Sequence, residues 1–100
     1  MKRLYAAAAV LAALVAAPAA HADADGDFLA AMHEYGINFK GGDDASLKLG
    51  RAVCKDLRDG ASSAAESAAV FRILPDTTEK QSGNIVSAAQ IHLCPDTIGQ

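Results

Sequence analysis

Bulky apolar side chains are scarce in this chain of 100 residues once its first stretch is set aside. Eighteen of its 51 hydrophobic residues precede Asp23, and of the 33 that follow only nineteen are larger than Ala and not Cys. A domain of this size buries only about 60% of its unfolded surface, so a core this lean calls for a covalent or metal staple. No period-2 alternation is long enough for a strand, and repeats and a heptad seam are missing. These absences exclude β and coiled-coil architectures and leave an all-α class. Cationic charge is also short, with nine Lys+Arg against twelve Asp+Glu. Nucleic acid and anionic lipid bind mainly by having their charge neutralised, so neither is an expected partner. The chain has neither a C-x-x-C pair nor a G-x-x-x-x-G-K-[ST] frame around Lys40-Gly41-Gly42, which removes the simplest zinc and phosphate-loop readings.

What is present begins with a targeting pattern. Met1-Lys2-Arg3 is a basic start, Leu4 to Ala17 is an uncharged run of fourteen residues, and Ala20-His21-Ala22 is an A-x-A cleavage site. The order is that of a secretory signal peptide over residues 1–22, cleaved between Ala22 and Asp23. The run is short and Ala-rich for a membrane anchor, which needs about 20 strongly apolar residues. The expected mature domain, residues 23–100, then carries seven basic and twelve acidic residues and has no transmembrane span.

The mature chain reads as three to four short helices. Asp27 is the expected cap of the first, with Phe28, Leu29, Met32 and Tyr35 as its apolar stripe and Gly36-Ile37 as a Schellman-type stop. Asp43 or Asp44 is expected to cap a second helix whose Leu47, Gly50, Val53, Cys54 and Leu57 share one face up to Gly60. Gly50 within that face predicts close approach by another helix, since Gly otherwise weakens a helix interior. Ser63-Ala64-Ala65-Glu66 has the form of a capping box opening a third helix, with Val70, Ile73 and Leu74 inward and Pro75 ending it. Residues 76–84 allow two readings, a loop or a final helix capped by Thr77 or Thr78 that tolerates Gly83. Ile85, Val86, Ala89 and Leu93 carry the last apolar face to Cys94-Pro95.

In an exported chain with two cysteines the default is a disulfide, here between Cys54 and Cys94. It would pin the last helix to the second. The rivals are a catalytic thiol paired with His33 or His92, or a metal held by both cysteines and both histidines, and neither has a supporting spacing. Asp23-Ala24-Asp25-Gly26-Asp27 with Glu34 resembles a calcium loop, but Phe28 stands where that loop needs Gly. Asp43-Asp44 reads as a cap pair before a catalytic dyad. No catalytic, cofactor-binding or metal-binding residue is therefore assigned.

Asp27-Phe28-Leu29, Met32, Gly36-Ile37, Gly50, Val53-Cys54, Leu57, Gly60, Val86, Ala89 and Cys94-Pro95 together resemble a family of small exported actinobacterial, chiefly mycobacterial, proteins called domain of unknown function 732. The resemblance implies a small helical domain with its two cysteines paired, and it supplies no activity, substrate or site residue. Leu93 stands where that family usually has an aromatic, and Ser82-Gly83 interrupts the last helix. The expectation for function is a non-enzymatic binding module in or outside the cell envelope, with an envelope or extracellular partner and no cofactor. A small envelope hydrolase or thiol-redox protein, and a purely structural wall-associated protein, are the alternatives.

Overall fold

The computed structural model describes residues 23–100, so the signal-peptide reading of residues 1–22 lies outside the described residues. Four α-helices follow one another: α1 (residues 23–34), α2 (Gly42–Arg58), α3 (Ser63–Ile73) and α4 (Glu79–Ala88). A π turn (Ala89–Leu93) and a 3-10 turn (Pro95–Thr97) complete the chain, and no strand occurs among the described residues.

Asp27 is not a cap: the helix already includes Asp23 to Gly26, so the acidic pentad is helical and Asp27 lies within it. Phe28 and Met32 are fully buried, whereas Tyr35 is 37% exposed and leaves the expected stripe. The stop is the expected Schellman motif. Gly36 has φ 76°, Ile37 N–H donates to Met32 O at 2.9 Å and Gly36 N–H to His33 O at 3.0 Å. Ile37 is thereby folded back into the core beside Met32.

Helix α2 starts before the aspartates. Gly42 takes φ 72°, which Gly adopts without strain, and Gly41 is the N-cap with no side-chain bond. Asp43 and Asp44 consequently sit in the first turn, where their charge complements the helix dipole instead of capping it. Gly50, Val53, Cys54 and Leu57 are buried as the spacing predicts. A second Schellman motif closes α2, with Gly60 N–H donating to Leu57 O at 3.1 Å and Ala61 N–H to Asp56 O at 3.0 Å.

That ending shifts the next start by one residue. Ser62, not Ser63, caps α3, its Oγ accepting from Ala65 N–H at 3.1 Å. Glu66 is therefore one place too late to reach back to the cap, and it is buried at 6% exposure. The inward line of α3 runs Glu66, Val70, Leu74, which turns Ile73 outward to 64% exposure, against expectation. Pro75 ends the helix, with Leu74 already at φ −119°. Residues 79–88 resolve as helix. Thr78 and Gln81 form a reciprocal capping box, Thr78 N–H donating to Gln81 Oε1 at 2.9 Å and Gln81 N–H to Thr78 Oγ1 at 3.0 Å. Gly83 meets open space, and Ser82 is buried with its hydroxyl donating to Thr78 O at 3.0 Å.

Helices α3 and α4 pack on one another, and α2 packs on the π turn. A Cβ built on Gly50 would stand 2.6 Å from Leu93 Cδ1 and 2.8 Å from Phe28 Cζ. The close approach anticipated at Gly50 is thus made by α1 and the π turn together.

Candidate functional site

The disulfide corner fixes the frame. Cys54 and Cys94 are bonded, with Cα atoms 5.8 Å apart and a sequence separation of 40. Cys94 is fully buried and Cys54 3% exposed. The π turn delivers Cys94: its N–H donates to Ala89 O at 2.9 Å, five residues back. Thr97 hydroxyl donates to Cys94 O at 2.7 Å, and Gln90 Nε2 donates to Thr97 O at 2.9 Å. The C-terminal segment then folds over the junction of α2 and α3. Gln100 Nε2 donates to Leu57 O and, at 3.2 Å, to Ala61 O, and Ser63 N–H donates to Gln100 O at 3.1 Å. Arg58 reaches Asp96 with two bonds of 2.9 Å, Nε to Oδ2 and Nη2 to Oδ1. That pairing holds the Asp96 carboxyl below its ordinary range.

The residues weighed from sequence as catalytic or metal-binding do not meet around the cysteines. His33 instead meets Asp43, Nε2 lying 3.3 Å from Asp43 Oδ1 while Nδ1 pairs with Asn38 Oδ1 at 3.0 Å. These groups are exposed, and the arrangement links the end of α1 to the start of α2. Asp25 of the acidic pentad accepts from Arg51 Nη2 at 2.6 Å, tying α1 to α2. Among the described residues no three His, Cys, Asp or Glu side chains converge in a metal-holding group.

Several hollows indent the described residues, among them two that border α3 or the loop after it. One, on the outer side of α3, is lined by Ala64, Ala68, Phe71 and Arg72 and is formed mostly by that single helix. The other is a groove of about 340 Å³ between the loop after α1 and the loop after α3. Ile37, Phe39, Leu74 and Pro75 line it with apolar surface, and Asn38, Lys40, Asp76 and Gln81 add polar groups of both charge signs. Gln81 Nε2 bridges toward Tyr35 O at 3.5 Å across this end. We take the two-loop groove as the candidate site because two separate segments converge there on a rigid helical frame. The sequence predicts a helix stop at Gly36-Ile37 and leaves residues 76–84 as loop or helix; the convergence of the two segments follows from tertiary packing.

A buried carboxyl is a second unanticipated feature. Glu66 carries a carboxyl pushed up to about 7, by burial first and then by its hydrogen bond to and repulsion from Asp56. A capping box would instead have this side chain reach back to the start of α3.

No helix of the described residues is long and apolar enough to cross a membrane. No curated protein and no solved structure matches the chain. A family model does match, over residues 22–96, a span that includes both cysteines, both loops of the groove and Glu66. With that match laid over the disulfide-linked helical fold, the chain belongs to the family described as protein of unknown function, DUF732.

Proposed function

We propose that residues 23–100 are an exported, non-enzymatic binding module whose ligand seats in the groove between the 36–40 and 74–77 loops. The observation that carries this reading is the groove itself. Its size falls in the range of small-ligand sites, about 300–1,000 Å³, and its apolar lining is flanked by Asn38, Lys40, Asp76 and Gln81. Such a lining suits a peptide segment or small molecule with an apolar body and hydrogen-bonding ends. The acidic balance disfavours nucleic acid and anionic lipid. The basic start, apolar run and A-x-A site support export with cleavage before Asp23. Burial of both sulfurs weighs against the thiol-redox alternative, since exchange needs a thiolate with access to the bond.

The test is a comparative capture from envelope extract with the oxidised 23–100 domain, identifying proteins and lipids by mass spectrometry. Wild type and a Phe71→Ser variant of the α3 surface should retain the same species, which a Lys40→Glu, Asp76→Lys double variant should lose. Identical capture by all three proteins would refute the groove assignment, and capture of nothing would favour the purely structural role. N-terminal sequencing of the secreted form should begin at Asp23.

A further inference from the structure

The two-loop groove carries one cation and one anion, and they stand on opposite walls. Lys40 belongs to the loop after α1 and Asp76 to the loop after α3. Ion pairs among the described residues join His33 to Asp43, Arg51 to Asp25, Lys55 to Asp59 and Arg58 to Asp96, so neither groove charge is spent on a partner. The surface between them is apolar and anchored: Ile37 belongs to the buried core cluster, and Phe39 and Leu74 pack against it. The other polar groups differ between the walls. On the Lys40 wall the backbone N–H groups of Asn38, Phe39 and Lys40 have no backbone partner among the described residues. Asn38 Oδ1 accepts from His33 Nδ1 at 3.0 Å, which leaves the Asn38 amide NH2 to donate. On the Asp76 wall the Thr77 hydroxyl already donates to Leu74 O at 2.7 Å, and Gln81 is engaged with Thr78 N–H and Tyr35 O. One wall therefore offers donors and a positive charge, the other a carboxylate.

We propose that the groove takes a zwitterion, a short peptide with apolar side chains, its carboxylate on Lys40 and the N–H donors of residues 38–40 and its ammonium on Asp76. This ligand class rests on the groove being the binding site. A ligand with a single charge would desolvate the opposite groove charge without pairing it, which is unfavourable. The volume of about 340 Å³ lies at the low end for small-ligand sites and suits a short peptide. Exchanging the two charges does not reverse the polarity of the walls, because the main-chain donors stay with residues 38–40.

Nitrogen-15 NMR titration of the oxidised 23–100 domain with dileucine and its N-acetylated, C-amidated and doubly blocked forms tests the assignment. Dileucine should shift the amides of residues 36–40 and 74–77. Blocking either end should weaken binding by about threefold to fivefold, the worth of one partly exposed charge pair, and blocking both by about tenfold or more. Lys40→Gln should bind the free and amidated carboxyl equally, and Asp76→Asn the free and acetylated amine equally. Equal binding of all four forms at residues 36–40 and 74–77 would overturn the zwitterion and leave the groove standing. Shifts confined to other residues would overturn both, and no shift with any form would overturn the zwitterion. The wild-type comparison of the four forms decides the matter even if one variant fails to fold.

Discussion

Breaking the Cys54–Cys94 bond is the perturbation to which this fold should be most sensitive. The bond closes a loop of 40 residues. On the chain-entropy model that loop lowers the freedom of the unfolded chain by about 13 cal/mol/K, or about 4 kcal/mol at 25 °C. A domain of this length has a total stability of roughly 4–12 kcal/mol, and twelve buried hydrophobic residues form its core, which places it toward the lower end. Each kcal/mol moves the melting temperature of so small a domain by about 4–8 °C, so loss of the bond should lower Tm by about 15–30 °C. A Cys54→Ala, Cys94→Ala double variant isolates this effect, because Ala leaves no buried hydroxyl in need of a partner. The assay is thermal unfolding followed by circular dichroism, for the oxidised protein, the reduced protein and the double variant, with thiol labelling and intact mass on each. The oxidised form should lack two hydrogens and show no free thiol. A reduced form that melts with the oxidised one, or two free thiols in native protein, would refute the reasoning.

Stability should also fall as pH rises, because the folded Glu66 carboxyl titrates near 7 against an ordinary value of 4.5. The sign follows from the fold binding the proton more tightly: the contribution is complete below 4.5 and is lost as pH passes through about 7, a total of about 3 kcal/mol. Glu66→Gln should therefore raise Tm at pH 8 and leave it nearly unchanged at pH 4. The Arg58–Asp96 pair acts in the opposite sense at low pH, but it is exposed and its effect is small. Gly50→Val should lower stability by about 1–3 kcal/mol, as the new side chain meets Leu93 and the fully buried Phe28 ring; an unchanged denaturation midpoint would contradict that packing. Thr78→Ala removes the hydroxyl that accepts from Gln81 N–H, leaving the bond from the backbone N–H of residue 78 to Gln81 Oε1, and should cost about 1 kcal/mol in urea unfolding. Ile73→Ser, at an exposed site, should stay within about 0.5 kcal/mol.

Local signals in this sequence were legible where one short-range interaction decides the geometry. Gly36-Ile37 and Gly60 stop helices through bonds reaching only five residues back, so their chemistry is written in neighbouring positions. Gly50 was legible for a related reason: a Gly on an apolar helical face has few uses other than close packing. The starts were harder. Asp27, Asp43-Asp44 and Ser63 are all good cap residues, yet Asp27 lies inside its helix, and the helices at Asp43-Asp44 and Ser63 begin earlier or one residue aside because the preceding turn sets where the backbone becomes helical. The slip at Ser62 decides the environment of Glu66, which a capping box would have sent back to the start of α3. The π turn left no mark in the periodicity, although it shifts register by one residue and so directs Cys94 toward Cys54. The groove was not legible at all, since Phe39 and Pro75 lie 36 positions apart and only the packed helices bring their loops together.

The ties within the described residues are unevenly placed, and that bears on how a ligand would be accommodated. At the disulfide end the covalent bond, the Arg58–Asp96 pair, Thr97 on Cys94 O and Gln100 on the α2–α3 junction all lock one corner. At the groove end the Thr77 hydroxyl ties to Leu74 O at 2.7 Å within its own loop, but the bridge toward the other loop, between Gln81 Nε2 and Tyr35 O, is 3.5 Å long and the His33–Asp43 contact lies on the surface. Regions with few buried ties open at lower free energy than the core. The two loops can therefore adjust around a ligand while the α2 frame stays fixed. A ligand seated there should protect amides of residues 36–40 and 74–77 from exchange and leave those of residues 53–58 unaltered. Protection that instead spread equally over both ends would place the ligand elsewhere.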